Sequence, residues 1–184
     1  MNRDDLASLI ARRRSNLFID AHTAVPHDDV IAIVDAGQWA PNHKRTWPLR
    51  VCVVTGDSRL QLGHVIADAM QQRGDDAPKV EKTRTKYMRS PVVLVVAYAE
   101  GTSSSETTEN SYAVAAGIQN MLLTIEARGY AALWGSPAKG SNDAITQFCG
   151  FASSDTVVGL IYVGRPTQPA PMVERPSTHI TYRD

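Results

Sequence analysis

Three stretches of this chain gather side chains with the means to do chemistry. Arg12-Arg13-Arg14-Ser15 sets three guanidiniums and a hydroxyl at the end of a helical segment. Guanidinium forks match phosphate oxygens two at a time, so the run can clamp a phosphate. It reads equally as a solvated basic turn that suits the dipole at a helix C-terminus. Trp39-Ala40-Pro41-Asn42-His43-Lys44-Arg45-Thr46-Trp47-Pro48 packs amide, imidazole, ammonium and indole into one proline-stiffened connection. A plain turn accounts for the prolines and Asn42 but not for the rest. Aromatic faces with donors beside them suit a planar polar ligand. Gly129-Tyr130-Ala131-Ala132-Leu133-Trp134-Gly135-Ser136-Pro137 is the third stretch. Its small residues let backbone amides approach a ligand closely; the alternative is a buried connection with Trp134 in the core.

Other chemistries leave no trace. The chain has no GxGxxG after a strand, no GxxxxGK[ST] loop and no GxSxG elbow. His22, His27, His43, His64 and His179 are scattered without metal-ligand spacing, and no CxxC exists, so no metal site is expected. Cys52 and Cys149 lie far apart in apolar surroundings and read as buried core thiols, not a redox pair. Nineteen Lys and Arg balance nineteen Asp and Glu, which leaves no basic footprint for nucleic acid or a membrane surface. No window approaches the ~18 apolar residues of a membrane span. The N-terminal MNRDDLASLIARRRSN lacks the pattern of a signal peptide, so a cytoplasmic location is expected.

The elements that must position these stretches follow from periodicity and punctuation. Helices are expected over Asp4 to Arg14, Asp28 to Trp39 and Ser58 to Arg73, the last stopped by Gly74. Leu49 to Thr55 is β-branched and closed by Gly56-Asp57. Lys79 to Ser90 is basic and reads as a solvated helical excursion. Val92 to Tyr98 is apolar without alternation, as a strand covered on both faces must be. The polar SSSETTEN run from Ser103 reads as a loop before a long apolar helix, Tyr112 to Arg128, which Gly129 ends. A short apolar piece spans Tyr130 to Trp134, a small helix Asn142 to Cys149, and a central strand Thr156 to Val163. The proline-rich tail beyond Gly164-Arg165-Pro166 must run extended. Without a βαβ rhythm, an α+β sheet packed by helices is expected, in one domain of residues 1–184 with 165–184 as a C-terminal arm.

The order and spacing of the three stretches carry more than any one of them. Arg-Arg-Ser at Arg13, Arg14 and Ser15, then Ala-Pro-Asn-His-Lys at residues 40–44, then Trp134-Gly135-Ser136 and a strand ending Gly164-Arg165-Pro166 resemble the nitroreductase family. The chain is most similar to its small single-domain branch, over nearly its whole length. Three residues depart from that pattern: Trp39, Trp47 and Gly135 stand where relatives often carry other groups.

The resemblance implies a central, mostly antiparallel sheet flanked by helices in an intertwined homodimer. It implies FMN as cofactor, NADH or NADPH as reductant, and a small electron-poor acceptor. Arg13, Arg14 and Ser15 would hold the flavin phosphate and ribityl chain, with Arg165 or Arg175 as further candidates for the phosphate. Trp39, Asn42, His43 and Lys44 would approach the flavin from the other subunit, and Trp134, Gly135 and Ser136 would line its ring. Thr124, Ile125, Glu126, Ala127, Arg128 and Gly129 match the stretch that the branch associates with the nicotinamide cofactor. No catalytic side chain is required, because the cofactor carries the chemistry. Three rival readings stay open: a flavoenzyme acting as a dehydrogenase, enone reductase or dehalogenase, a protein that holds flavin or another planar ligand without turnover, and a flavin-free dimer with a structural role.

Overall fold

The computed structural model describes residues 3–184. Its centre is a four-stranded sheet in the order β1-β2-β4-β3, built from β1 (Leu49–Thr55), β2 (Val92–Tyr98), β3 (Ala131–Gly135) and β4 (Thr156–Gly164). Every pairing among these strands is antiparallel. The mixed architecture agrees with the α+β expectation. β2 is buried along nearly its whole length, which explains its unbroken apolar sequence.

Alternate residues of β2 feed two separate cores. Val92, Leu94 and Val96 face α2 (His27–Gly37) and α5 (Ser104–Ala127), against Ile33, Ile118, Met121 and Ile125. Val93, Val95 and Ala97 face α3 (Ser58–Gln72), α4 (Ala77–Thr85) and α6 (Asn142–Cys149), against Leu62, Ile66, Tyr87 and Ile145. The first helix, α1 (Arg3–Arg12), lies outside this frame and touches α5. At the crossing of α2 and α5, a Cβ on Gly117 would come within 2.8 Å of the Gly37 carbonyl oxygen. Two glycines therefore let these helices approach closely.

Three expectations are corrected. The SSSETTEN run is the first turns of α5, which begins eight residues before Tyr112. The missed signal is a helix cap: the Ser103 side chain accepts from Glu106 N at 3.2 Å. Residues 79–90 are not a solvated excursion. They form the end of α4 and a 3-10 turn, Lys86–Arg89, that buries Val80, Thr83 and Tyr87. Cys52 and Cys149 are half-buried free thiols that neighbour one another at the edge of the second core.

Beyond Gly164 the chain has no regular element and is almost wholly exposed. Its start is stitched to the segment after α1: Thr167 N donates to Phe18 O at 2.9 Å, and Ile19 bridges Pro166.

Candidate functional site

The arginine run sits where α1 meets the free edge of β3. Asn16 is buried and joins the sheet, its N–H donating to Ala132 O at 2.8 Å while Ser15 bridges Ala132 in parallel. The Asn16 side chain then donates to Gln168 O at 3.0 Å and accepts from Phe18 N at 2.9 Å. One amide thus fixes the arginine run, the sheet edge and the tail relative to one another. Asn16 escaped the sequence reading, although its place directly after Arg-Arg-Ser was a usable signal.

A cavity of about 630 Å³ opens beside this junction, lined in part by Arg12, Arg14, Asn16, Glu126, Gly129 and Gln168. It therefore brings Arg14 from the first stretch together with Glu126 and Gly129 from the end of α5. Arg14 is half-buried and its charge is only partly answered. One terminal nitrogen donates to the carbonyls of Ala11 and, at 2.9 Å, Arg13. Its Nε is buried with no hydrogen-bond partner among the described residues. A buried guanidinium donor left open in a basic junction is costly unless an acceptor arrives.

Arg13 adds to that demand. Burial holds its pKa below the usual arginine value, and the positive charges of Arg175 and Arg14 lower it further. Glu126 opposes them only in part and is itself paired with Arg12 at 3.3 Å. Of the two tail candidates, Arg175 joins this cluster. Arg165 lies instead near Asp29 and Tyr130.

The end of α5 divides by role. Ile125 is in the core, and Thr124 spends its hydroxyl on Asn120 O at 2.9 Å. Arg128 pairs with Asp29, which also accepts from the Tyr130 hydroxyl at 2.6 Å. Ala127 and Gly129 are exposed, with Gly129 in the left-handed region. Only Glu126 and Gly129 of this stretch reach the cavity.

The Trp39–Pro48 loop lies apart from the cavity and lines none of it. Lys44, Arg45 and Trp47 all have positive φ, at 56°, 55° and 51°. Side chains rarely adopt this conformation, and each instance costs roughly 1–3 kcal/mol. Asn42 helps to hold it, accepting from Trp47 N at 2.9 Å and donating to Thr46 Oγ1 at 3.0 Å. Thr46 in turn donates to the buried Asn110 at 2.6 Å. The Asn42 amide is thus spent inside the loop, while His43 and Lys44 stay exposed and Trp39 is 86% exposed. His43 lies 3.9 Å from Glu109.

The third stretch contains β3. Trp134 packs over Gly159, where a Cβ would come within 2.0 Å of the indole Nε1. Gly135 is half-buried near Tyr162, and Ser136 is exposed beyond the strand end.

Comparison with known proteins settles the family. The model of the nitroreductase family matches residues 10–165. The chain belongs to the nitroreductase family. It is 27% identical over 183 residues to the Escherichia coli K12 protein named "Putative NAD(P)H nitroreductase YdjA", covering 97% of this chain and 99% of that one. Among solved structures it resembles a nitroreductase-like family protein of Bacillus cereus, with TM-score 0.84 and 23% identity over 98% of each chain. A nitroreductase with bound FMN from Bacteroides fragilis matches with TM-score 0.76 and 22% identity over all of both chains. These likenesses agree with the expected architecture. The structure shows no metal-ligand cluster and no helix long and apolar enough to cross a membrane among the described residues.

Proposed function

We propose that this chain is an FMN-dependent NAD(P)H oxidoreductase that reduces nitroaromatic, quinone or similar electron-poor acceptors. The observation that carries the reading is the open arginine cluster: Arg13 under the positive charge of Arg175, and Arg14 with a buried Nε that has no acceptor among the described residues. These residues fit a phosphomonoester, whose oxygens take several guanidinium donors at once. The relatives supply the rest: an NAD(P)H nitroreductase in name, and a similar fold with FMN bound.

Bound FMN supplies two-electron redox chemistry between a nicotinamide donor and the acceptor. The protein's part is placement. Arg13, Arg14 and Ser15 would hold the phosphate and ribityl chain, with Arg175 as a further partner of the phosphate. Asn16 keeps the arginine run against β3, so that Trp134, Gly135 and Ser136 meet the ring at a fixed distance from the phosphate. Thr124 to Gly129 stands beside the same junction as the candidate nicotinamide stretch, with Glu126 and Gly129 its contacts to the cavity.

Two copies complete the site. Leu6 and Ile10 on α1, Leu17 and Phe18 after it, Tyr112 on α5, and Met172, Val173, Ile180 and Tyr182 on the tail are all exposed. So many large apolar side chains on one small domain call for cover. In a two-fold dimer the Trp39–Pro48 loop of one copy serves the flavin of the other, bringing Trp39, Asn42, His43 and Lys44 to it. The exposed indoles of Trp39 and Trp47 support a second reading for the acceptor alone. They can stack on any flat conjugated ligand, so an enone or a haloaromatic fits beside them as well as a nitroaromatic or quinone.

The test is FMN affinity, read by quenching of flavin fluorescence on titration with apoprotein. Arg13→Ala and Arg175→Ala are each expected to weaken binding at least about ten-fold, the scale of one lost charge-assisted contact. Unchanged affinity in both variants would contradict the phosphate assignment.

A further inference from the structure

A second basic concavity lies on the opposite face of the sheet from α5. It has a volume of about 370 Å³ between α3, α4 and the 3-10 turn, and Ala138 from the loop after β3 closes one side. Its wall carries Lys79, Lys82, Lys86 and Arg89, with no carboxylate among the lining residues. Lys79, Lys82 and Lys86 fall on one helical face by their spacing. None of the four cations makes an ion pair among the described residues, unlike Arg84 on the same helix, which pairs with Asp68 and Glu81.

A basic helix face in water needs no explanation, but two of these cations are not in water. Lys86 and Arg89 are half-buried and held over a stacked pair of rings, Tyr87 and Tyr162, whose centroids lie 5.9 Å apart. Lys86 Nζ is 5.8 Å from the Tyr87 centroid, and the Arg89 guanidinium 5.6 Å from that of Tyr162. Arg89 Nε donates to the Lys86 backbone carbonyl at 2.9 Å, which fixes the Arg89 side chain against the turn. Burial, Arg89 and Lys82 all depress the Lys86 pKa, and no acid offsets them. Tyr87 is 1% exposed, lines the pocket, and its hydroxyl has no hydrogen-bond partner among the described residues. Burial raises its pKa, so it stays a donor. Convergent cations with an unused donor and no counter-charge are complementary to an oxyanion.

We propose that Lys82, Lys86, Arg89 and Tyr87 form a binding site for the phosphate group of a small ligand. Its position gives that phosphate a use. Tyr162, under the Arg89 guanidinium, also lies against Gly135, where a Cβ would be 3.7 Å from its ring. The pocket therefore adjoins the segment assigned to the flavin ring. The phosphate belongs either to the nicotinamide reductant, as the extra ribose phosphate of NADPH, or to a separate phosphorylated ligand. Only the first source rests on the flavoenzyme reading; the anion site does not.

The first arm titrates the FMN-loaded protein with inorganic pyrophosphate in a calorimeter. Saturable binding is expected, weakened at least about ten-fold in the Lys82→Gln, Lys86→Gln double variant and largely retained in Lys86→Arg. No saturable heat, or equal affinity in the double variant, overturns the proposal. Flavin content and unfolding midpoint, measured on the same samples, separate loss of the site from loss of the fold. The second arm compares KM for NADPH and NADH. A KM that rises in the double variant for NADPH alone assigns the phosphate to the reductant. Equal KM values, with pyrophosphate binding still lost, assign it to a separate ligand. Failure of the flavoenzyme reading would show instead as absence of flavin, with pyrophosphate binding intact.

Discussion

At the scale of single residues, the molecule is decided by groups whose partners are missing or unexpected. Arg14 Nε is the clearest, since nothing among the described residues answers it. The cysteine pair is another. The neighbouring Cys149 thiol draws the Cys52 pKa down to about 7 from an ordinary thiol value, while Cys52 and burial push the Cys149 thiol up. Cys52 is therefore the thiolate near neutral pH, and thiolates are the nucleophiles. Mass spectrometry after brief iodoacetamide treatment at pH 8 is expected to find Cys52 modified ahead of Cys149. Preferential modification of Cys149 would refute the assignment. This contact was illegible in the sequence, because the 96 residues between the two cysteines, counted from the numbering, hide how the end of α6 returns toward β1. Arg13, Arg14 and Ser15 could be proposed as a phosphate clamp from the sequence because guanidinium chemistry is written in residue type. Which tail arginine joins them was not, for the tail has no periodicity that fixes its path.

At the scale of elements, local rules predict strands and helix interiors, and caps and packing decide the ends. Thr55, Tyr98 and Cys149 end their elements as expected, since a turn, a polar loop and Gly150 follow them. The start of α5 was missed because polar residues mask a helix whose cap is Ser103. The basic segment around α4 was misread because charged spacing says nothing of Val80, Thr83 and Tyr87, which face the core. Contacts between elements offer a further test. Asp29 at the start of α2 accepts from Tyr130 and Arg128 after α5, and these hydrogen bonds and charges hold its pKa below the usual carboxylate value. A carboxylate with a depressed folded pKa contributes stability above its unfolded value of 3.8, and the contribution is lost as pH falls through the lower folded one. Tyr130→Phe is thus expected to lower the urea midpoint at pH 7, with the gap from the parent narrowing as the pH drops below 3.8. A gap of constant size down to pH 2 would mean that the hydroxyl acts through packing alone.

At the scale of the whole molecule, the flavin reading and the dimer stand together. The tail is stitched to the residues after α1, carries Arg175 to Arg13, and exposes Met172, Val173, Ile180 and Tyr182. Removal of residues 166–184 is expected to weaken self-association and FMN binding in the same preparation. Analytical ultracentrifugation and flavin absorbance measure the two, and a truncated protein that stayed dimeric and yellow would contradict the link. The acceptor is the part least written in the chain. In the proposed dimer, Trp39, Trp47 and Gly135 would shape the space around the ring, and their exposure would depend on what the second copy covers.

The central claim is tested most directly by the visible spectrum of the purified protein, recorded before and after anaerobic addition of NADPH and of NADH. Flavin bands that bleach with at least one reductant, and return when a quinone or nitroarene is added, are the predicted result. A protein that shows no flavin bands even after incubation with FMN would contradict the account.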